Sequence, residues 1–259
     1  MPATDDLALL VAAALAAGKI ATRFTGPSAQ AWDKPGDAGP VTEADLAVNR
    51  LLERDLRPAR PDYGWLSEES PDTPDRLTCE RVFIIDPIDG TRSFIDGSPT
   101  WAHSLAVADR GQVIAAVIYL PLHDKLYAAA RGAGATLNDA PITVSDRATL
   151  TGAELLAARP AMDAAHWPSG VPDVKRSHRP SLAYRLSLVA EGRFDAMLTL
   201  RPTWEWDIAA GDLIGREAGA RTSDRFGAPL RFNNPDPRSE GVVVAGPRLH
   251  ADLIARLAM

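Results

Sequence analysis

The chain has 259 residues, of which 46% are hydrophobic and 24% charged, and its 28 basic and 34 acidic residues give a formal net charge of −6. These values are typical of a globular protein and exclude a disordered chain. The acidic balance argues against a protein that binds nucleic-acid polymers. Cys79 is the only cysteine, which excludes an internal disulfide and a cysteine-based zinc site.

The first predicted element is a buried, alanine-rich helix from about Thr4 to Phe24. Thr4 can cap it, and Asp5 and Asp6 suit its first turn. The apolar stretch from Leu7 to Ala17 is too short to cross a membrane and lacks the positive start of a signal peptide. We therefore expect a cytoplasmic protein without a transmembrane segment, and peripheral attachment to a membrane stays open.

A second helix is predicted after a loop that spans residues 25–40. It begins near Thr42, and the acid three residues later, Asp45, resembles the second half of a capping box. Apolar residues then recur at helical spacing until two prolines end the pattern: Leu46, Val48, Leu51, Leu52 and Leu56, then Pro58 and Pro61.

Strands dominate the next part of the chain. Tyr63 to Leu66 is a short strand candidate, and the buried run from Val82 to Ile85 is a strand that we expect to end at the segment from Asp86 to Thr91. Antiparallel strands follow at residues 105–108, 113–120 and 125–130. Beyond Asn138 the pattern is mixed, with strands at 153–158, 195–200 and 242–245 and helices at 181–191, 206–217 and 249–257. We expect two lobes, residues 1–138 and residues 139–259.

The segment Asp86-Pro87-Ile88-Asp89-Gly90-Thr91 carries the strongest local signal for chemistry. It puts two carboxylates at the end of a buried strand, and Gly90 allows the chain to turn closely around a ligand. The amides after Gly90 open a short predicted helix and can hold a phosphate. Carboxylate oxygens are hard ligands that suit Mg²⁺ rather than zinc, and a proline-containing turn without function is the alternative.

Two further acidic segments strengthen this signal. Glu68 and Glu69 follow the strand candidate at 63–66, where a solvated loop is the simpler interpretation. Asp207 follows Trp206 and either caps a helix or binds a metal. Acids that lie near the hexapeptide would let two metal ions share ligands for in-line phosphoryl displacement. The chain contains no G-x-S-x-G motif and no Walker A motif.

Together these segments resemble the inositol monophosphatase superfamily, a group of Mg²⁺-dependent, lithium-sensitive phosphatases. In chain order the matching segments are Val41 to Asp45, Ser67 to Glu69, Asp86 to Thr91, Arg131 to Ala135 and Trp206-Asp207. The resemblance covers nearly the whole chain and implies an α/β layered αβαβα sandwich. It also implies an antiparallel sheet in each lobe and an active site between the lobes. Homodimers are common in the family, and the sequence leaves that open.

The resemblance also implies roles for individual residues. The metal ligands would be the backbone carbonyl of Ile88 and the carboxylates of Glu68, Asp86, Asp89 and Asp207. Thr91 and Asp45 correspond to the pair that orients and deprotonates the attacking water, with Glu68 as a further catalytic residue. Residues expected to contact the substrate are Lys34, Glu68, Ile88, Asp89, Gly90, Thr91, Arg201 and Asp207. For Lys34 a solvated loop position is the alternative.

The residues before Asp207 bear on the choice of substrate. Inositol phosphatases carry a glutamate seven positions before the metal-binding aspartate, where it binds ring hydroxyls, and this chain has Leu200 there. The segment from Arg201 to Asp207 instead resembles bacterial 3′(2′),5′-bisphosphate nucleotidases, as do residues 181–182, residues 188–192 and Phe94. Those enzymes remove the 3′-phosphate from adenosine 3′,5′-bisphosphate in sulfur metabolism.

The second phosphate of such a substrate needs a cationic partner. The candidates are Lys175, Arg176, Arg179, Arg185 and Arg201, and ordinary surface charge is the alternative for each. Tyr184 or a tryptophan can stack on the adenine. Inositol 1-phosphate and histidinol phosphate are the alternative substrates, and a metal-binding regulatory protein without turnover is the alternative outside the enzymes.

Overall fold

The computed structural model describes residues 2–24, 29–37 and 39–257, so the predicted loop at 25–40 lies partly outside the described residues. Its helices are α1 (Ala3–Ala21), α2 (Glu43–Ala59), α3 (Thr91–Ile95), α4 (Leu182–Ala190), α5 (Glu205–Glu217) and α6 (Pro247–Arg256). None of these described helices has both the length and the hydropathy needed to span a bilayer.

The first large sheet follows a short hairpin of β1 (Ala31–Asp33) and β2 (Pro40–Thr42). Over the described residues its strands lie in chain order: β3 (Gly64–Ser67), β4 (Arg81–Asp89), β5 (Ala102–Asp109), β6 (Gln112–Leu120), β7 (Lys125–Ala130), β8 (Ala135–Leu137) and β9 (Ala140–Pro141). β3 pairs with β4 in parallel, and each later pair is antiparallel.

The strands of the second half of the chain are β10 (Ala153–Ala157), β11 (Val174–Ser177), β12 (Ala196–Thr199), β13 (Thr203–Trp204), β14 (Arg221–Ser223), β15 (Arg238–Ser239) and β16 (Val242–Ala245). The second large sheet has the order β11-β10-β12-β16-β14, and β13 pairs with β15 in a separate two-stranded sheet. β10 pairs in parallel with β11 and with β12. The expectation of an antiparallel sheet in each lobe is therefore wrong, because both sheets contain parallel pairs. Parallel neighbours need long crossover connections, and such connections join β3 to β4, β10 to β11 and β10 to β12.

Apolar clusters fill the spaces between the layers. One cluster packs α1 and α2 against one face of the first sheet and includes Leu52 and Phe83. A second, with Ile118 and Leu213, joins the other face of that sheet to α4, α5 and the second sheet. A third cluster, with Leu253, lies between the second sheet and α6. Each buried side chain of this kind contributes about 1.5–3 kcal/mol to folding. The expected αβαβα layering is confirmed.

The starts of two helices give different outcomes for the predictions. The capping box of α2 is confirmed, because the Thr42 hydroxyl accepts from the Asp45 amide and the Asp45 carboxylate accepts from the Thr42 amide at 2.8 Å. The interpretation of Asp207 as an N-cap is wrong, because Trp204 holds that position and Asp207 lies in the first turn of α5. Metal binding by Asp207 stays a prediction.

Candidate metal centre and active site

A β-bulge at the end of β4 turns two carboxylates to the same side of the first sheet. Asp86 lies opposite Ser104 of β5 and Asp89 lies opposite Ala102, so two residues of β4 oppose one residue of β5. In a regular strand, residues three apart face opposite sides, and one extra residue restores them to the same side. The strand continues through Pro87 to Asp89, so it ends within the segment from Asp86 to Thr91 where its end was expected.

Asp207 joins these two carboxylates from the first turn of α5. Carboxylate oxygens of Asp86, Asp89 and Asp207 all lie within 4.8 Å of one another. Asp86 and Asp89 are buried, at 1% and 7% exposure. The hydroxyl of Ser104 donates to the carbonyl of Trp206 at 2.9 Å and so ties the start of α5 to β5. We call these three aspartates the carboxylate cluster.

Burial and mutual repulsion change the acidity of the carboxylate cluster. Burial, and after it the charges of neighbouring carboxylates, raises the pKa of Asp86 and of Asp207 well above the usual range. Burial raises the pKa of Asp89 to about 6, although hydrogen bonds of 2.6 Å from the Ser181 hydroxyl and the Ala183 amide oppose that rise. A divalent cation offsets this repulsion, and the hard oxygen donors fit such a cation.

Glu68 lies at the end of β3 and forms an ion pair with Lys34. The Lys34 ammonium is 2.8 Å from Glu68 Oε1 and 2.5 Å from Glu69 Oε1. Burial lowers the pKa of Lys34, but the two carboxylates outweigh it and the pKa rises overall. Burial, and after it the charge of Glu68, raises the pKa of Glu69 to about 7. The solvated-loop interpretations of Lys34, Glu68 and Glu69 are therefore wrong, because the three side chains form ion pairs. The charge of Glu68 also contributes to the raised pKa of Asp86.

Asp45 and Thr91 come together as the resemblance implies. Thr91 Oγ1 is 3.4 Å from Asp45 Oδ1 and 3.2 Å from the Ile88 carbonyl oxygen. The other carboxylate oxygen of Asp45 accepts from Thr42 in the capping box. Burial raises the pKa of Asp45 to about 6, against the effect of the Thr42 hydrogen bonds. One oxygen of Asp45 thus stabilises the helix start, while the other faces a hydroxyl and suits a general base.

Gly90 joins β4 to α3 and brings the two halves of the chain into contact. Its φ of 96° is left-handed, and a Cβ there would lie 3.3 Å from both Ser181 Cβ and the Thr100 carbonyl oxygen. Both the backbone conformation and the available space therefore require glycine. The first amides of α3, starting at Thr91, have no acceptor within the helix and can bind an anion.

Arg201 is within electrostatic reach of the carboxylate cluster. It is exposed, and its charge opposes the burial that raises the pKa of Asp207. Leu200, next to it, is buried in the third apolar cluster with Val243 and Leu249. The side chain of Leu200 is therefore part of the core, and Arg201 is the residue of this pair whose charge reaches the site.

Comparison with known proteins decides which family this arrangement represents. The profile described as the inositol monophosphatase family matches residues 4–259. The chain belongs to the inositol monophosphatase family. The resemblance found in the sequence motifs is confirmed at this level, whereas the narrower likeness to bisphosphate nucleotidases stays a prediction.

Relatives within the inositol monophosphatase family carry two kinds of name. The inositol-1-monophosphatase of Rhizobium meliloti (strain 1021) is 34% identical over 251 residues, which cover 93% of this chain and 91% of that protein. The Nus factor SuhB of Escherichia coli (strain K12) is 32% identical over 232 residues, 85% of each chain. The crystal structure of the extragenic suppressor protein suhB from Bartonella henselae superposes with a TM-score of 0.81 at 30% identity, covering 97% of this chain and 98% of that one.

Sequence reasoning missed the supports that hold the acids in place. The sequence marks Ser181 as a helix start and as part of the nucleotidase resemblance, but not as a partner of the acids; its hydroxyl accepts from the Tyr184 amide, as a cap, and donates to Asp89. The bond from Ser104 to the Trp206 carbonyl spans 102 positions. A serine at a helix start was a visible signal for the first contact, whereas nothing in the local sequence indicates the second.

Proposed function

We propose that this member of the inositol monophosphatase family is a Mg²⁺-dependent phosphomonoesterase that converts adenosine 3′,5′-bisphosphate to AMP and phosphate. One observation carries the choice of substrate: the guanidinium of Arg185 is buried, and the charges of Asp89 and Asp207 in the carboxylate cluster act on it. The acids suit a cation that holds the phosphate to be removed, and the guanidinium suits a second anionic group on the same substrate.

Mg²⁺ would be held by the carboxylate cluster together with Glu68 and the Ile88 carbonyl. When bound, Mg²⁺ neutralises phosphate oxygens, acidifies a water molecule and stabilises the leaving alkoxide. Lys34 holds the Glu68 carboxylate in place through their 2.8 Å ion pair. The amides of Gly90 and Thr91 would donate to the phosphate oxygens.

The proton of the attacking water would leave through Thr91 and Asp45. The Thr91 hydroxyl accepts a hydrogen bond from the water and donates its own proton toward Asp45 Oδ1, 3.4 Å away. Catalytic hydrogen bonds are often this long without substrate and shorten in the complex. Because the Asp45 pKa is about 6, its carboxylate is charged at neutral pH and basic enough to take a proton.

Arg185 has the contacts expected of a built anion site. It is 8% exposed, and its guanidinium donates to the backbone carbonyls of Arg179 and Pro180 and lies 3.1 Å from His178 Nε2. These partners are uncharged acceptors, since burial and then the charge of Arg185 lower the pKa of His178. The contacts fix the guanidinium without neutralising it, and Arg201 is close enough to act on it electrostatically.

A pair of tryptophans is the candidate surface for the adenine ring. Trp204 and Trp206 stack at 4.6 Å with 10° between their planes, directly before Asp207 in the chain. Trp204 is 40% exposed, with the Arg238 guanidinium 5.3 Å over its ring, and a base would displace this surface arginine. Tyr184 is a poorer candidate, because it is 5% exposed and already stacks on a histidine.

Inositol 1-phosphate is the second candidate substrate, because relatives with substantial identity are named inositol-1-monophosphatase. Against it stands the absence of a glutamate at position 200, where Leu200 lies in the core. Arg201, which has no oxygen acceptor on its side chain, has its charge near Asp207 instead. A guanidinium cannot accept the O–H hydrogens of ring hydroxyls, whereas an anionic group uses the charge and the N–H donors of the guanidinium together.

Substrate preference tests the proposal. Each buried hydroxyl of inositol left without a partner costs ~1–3 kcal/mol, so we expect kcat/KM at saturating Mg²⁺ to favour adenosine 3′,5′-bisphosphate by about 5- to 150-fold or more. The variant Arg185→Met should lose activity on the bisphosphate but much less on 3′-AMP, which lacks the second phosphate. Equal or faster hydrolysis of inositol 1-phosphate would reject the nucleotidase proposal and leave the phosphatase proposal standing.

Protons and Mg²⁺ should compete for the site. Because the pKa values of Asp45 and Asp89 are raised to about 6 in the folded chain, their carboxyl groups bind protons more tightly there than in the unfolded chain. Protonation of these two groups therefore stabilises the metal-free fold in acid, and this contribution is lost as pH rises through about 6. Added Mg²⁺ reverses this cost at neutral pH. We expect the Mg²⁺-induced rise in Tm to be larger at about pH 7.5 than at about pH 5. Thermal denaturation with Mg²⁺ or EDTA measures it, and an increment independent of pH would contradict the assignment.

A further inference from the structure

We propose that His103 is a positioning residue for the metal centre: its Nδ1–H holds the β4 bulge that turns Asp86 and Asp89 to the same side. This inference rests on the proposed function, because it assigns the purpose of His103 to the binding of Mg²⁺. His103 does not touch the substrate or the reacting atoms. It acts through the backbone that carries the ligands.

The bulge needs a partner that the sheet cannot supply. His103 is the single β5 residue opposite the two residues of the bulge, Pro87 and Ile88. A bulge leaves its extra residue outside the ladder of backbone hydrogen bonds, and a buried carbonyl oxygen there needs a donor from a side chain. The His103 side chain fills this gap, because its Nδ1 contacts the Pro87 carbonyl oxygen.

The chemistry of that contact fixes the state of the ring. A carbonyl oxygen only accepts, so Nδ1 carries the proton and Nε2 is the unprotonated nitrogen. Burial also lowers the pKa of His103 to about 4, which agrees with a neutral ring at pH 7. The ring lies 5.5 Å from Trp101, edge to face, and 6.3 Å from Tyr119, so aromatic packing sets its orientation.

An apolar residue would suit this pocket better if packing were the only requirement. His103 is fully buried, and within the described residues its Nε2 has no hydrogen-bond partner. A buried acceptor without a partner costs ~1–3 kcal/mol, which leucine or valine would avoid. The bond to the Pro87 carbonyl is the feature that only a donor at the Nδ1 position supplies.

β5 supports both halves of the carboxylate cluster from successive residues. His103 holds the backbone between Asp86 and Asp89 on one face of the strand. Ser104, on the opposite face, donates to the carbonyl that precedes Asp207. Small displacements of groups that orient ligands typically cost about 10- to 100-fold in metal affinity.

Two polar substitutions separate positioning from packing. In His103→Asn the amide nitrogen takes the place of Nδ1, whereas in His103→Gln it takes the place of Nε2 and the longer side chain fills more of the pocket. If the Nδ1–H bond positions the bulge, asparagine keeps most of the Mg²⁺ affinity and glutamine loses it. If His103 only fills space, glutamine is the better replacement.

Mg²⁺ titration calorimetry of the purified full chain, with no substrate present, gives the readout. We expect His103→Gln to weaken Mg²⁺ binding by about 10-fold or more and His103→Asn to stay within about 3-fold of the unsubstituted protein. The control is His250→Leu. His250 is equally buried and also has one nitrogen without a partner among the described residues, but it bonds Ser223 in the second lobe. This control should lower Tm in EDTA and leave Mg²⁺ affinity unchanged.

The outcomes are distinct. Tight Mg²⁺ binding by the unsubstituted protein and by His103→Gln alike would overturn the positioning role and leave the proposed function intact. Glutamine binding Mg²⁺ more tightly than asparagine would also overturn it, in favour of packing. Failure of the unsubstituted protein to bind Mg²⁺ would overturn both proposals.

Discussion

Replacing Asp89 with asparagine is expected to lower kcat for phosphate release by about 10³-fold or more while the protein stays folded. One oxygen of Asp89 accepts from the Ser181 hydroxyl and the Ala183 amide. The asparagine carbonyl must keep that position because both partners donate. Its NH₂ group then faces Asp86 and Asp207, where a metal ligand is needed, and repels a cation.

The fold should tolerate this substitution. Asp89 is buried beside other acids, and removing its charge relieves repulsion in the metal-free state. Asp195→Asn is the matched control, because Asp195 also accepts from a serine hydroxyl and a backbone amide, those of Ser145 and Glu154. We expect normal activity from the control. Near-normal activity in a folded Asp89→Asn protein would contradict the assignment of the metal centre.

Thr91 and Asp45 are expected to act as one unit. Thr91→Ala and Asp45→Asn should each lower kcat by about 10²- to 10⁴-fold, because either substitution removes the path from the water proton to the carboxylate. The double variant should be little worse than the single ones. Steady-state kcat at saturating Mg²⁺ and substrate measures all three, and additive losses would show that the residues do not share a proton path.

Two controls separate chemistry from stability in this cycle. Asp45 also belongs to the capping box with Thr42, and loss of a cap costs about 1 kcal/mol, so Tm of each variant must be recorded. Thr91→Ser keeps the hydroxyl and should keep most of the activity. A large loss in Thr91→Ser would mean that the methyl group of Thr91, rather than its hydroxyl, is what the site requires.

The layers of the fold were predictable because most elements carry their own signals. The capping box at Thr42, the glycine after α5 at position 219 and the apolar run at 242–245 each define an element locally, and the structure has all three. Strand direction was not predictable in the same way. Parallel pairing of β3 with β4 depends on a crossover whose path no residue pattern records.

The candidate site was predictable in its acids but not in its geometry. The spacing of Asp86 and Asp89 in a regular strand would separate their side chains, and only the bulge opposite His103 brings them together. The bulge depends on pairing with β5, which is a tertiary contact. For the same reason the sequence alone could not choose Arg185 from the five cationic candidates, because its anchoring carbonyls at positions 179 and 180 matter only once the loop is folded.

Phosphate release from adenosine 3′,5′-bisphosphate, followed with Mg²⁺ and then with EDTA, is the most direct test of the central claim. The carboxylate cluster predicts stoichiometric conversion to AMP and phosphate when Mg²⁺ is present, loss of activity in EDTA, and recovery when Mg²⁺ is restored. Release that continues unchanged in EDTA, or no release from this substrate at any Mg²⁺ concentration, would contradict it.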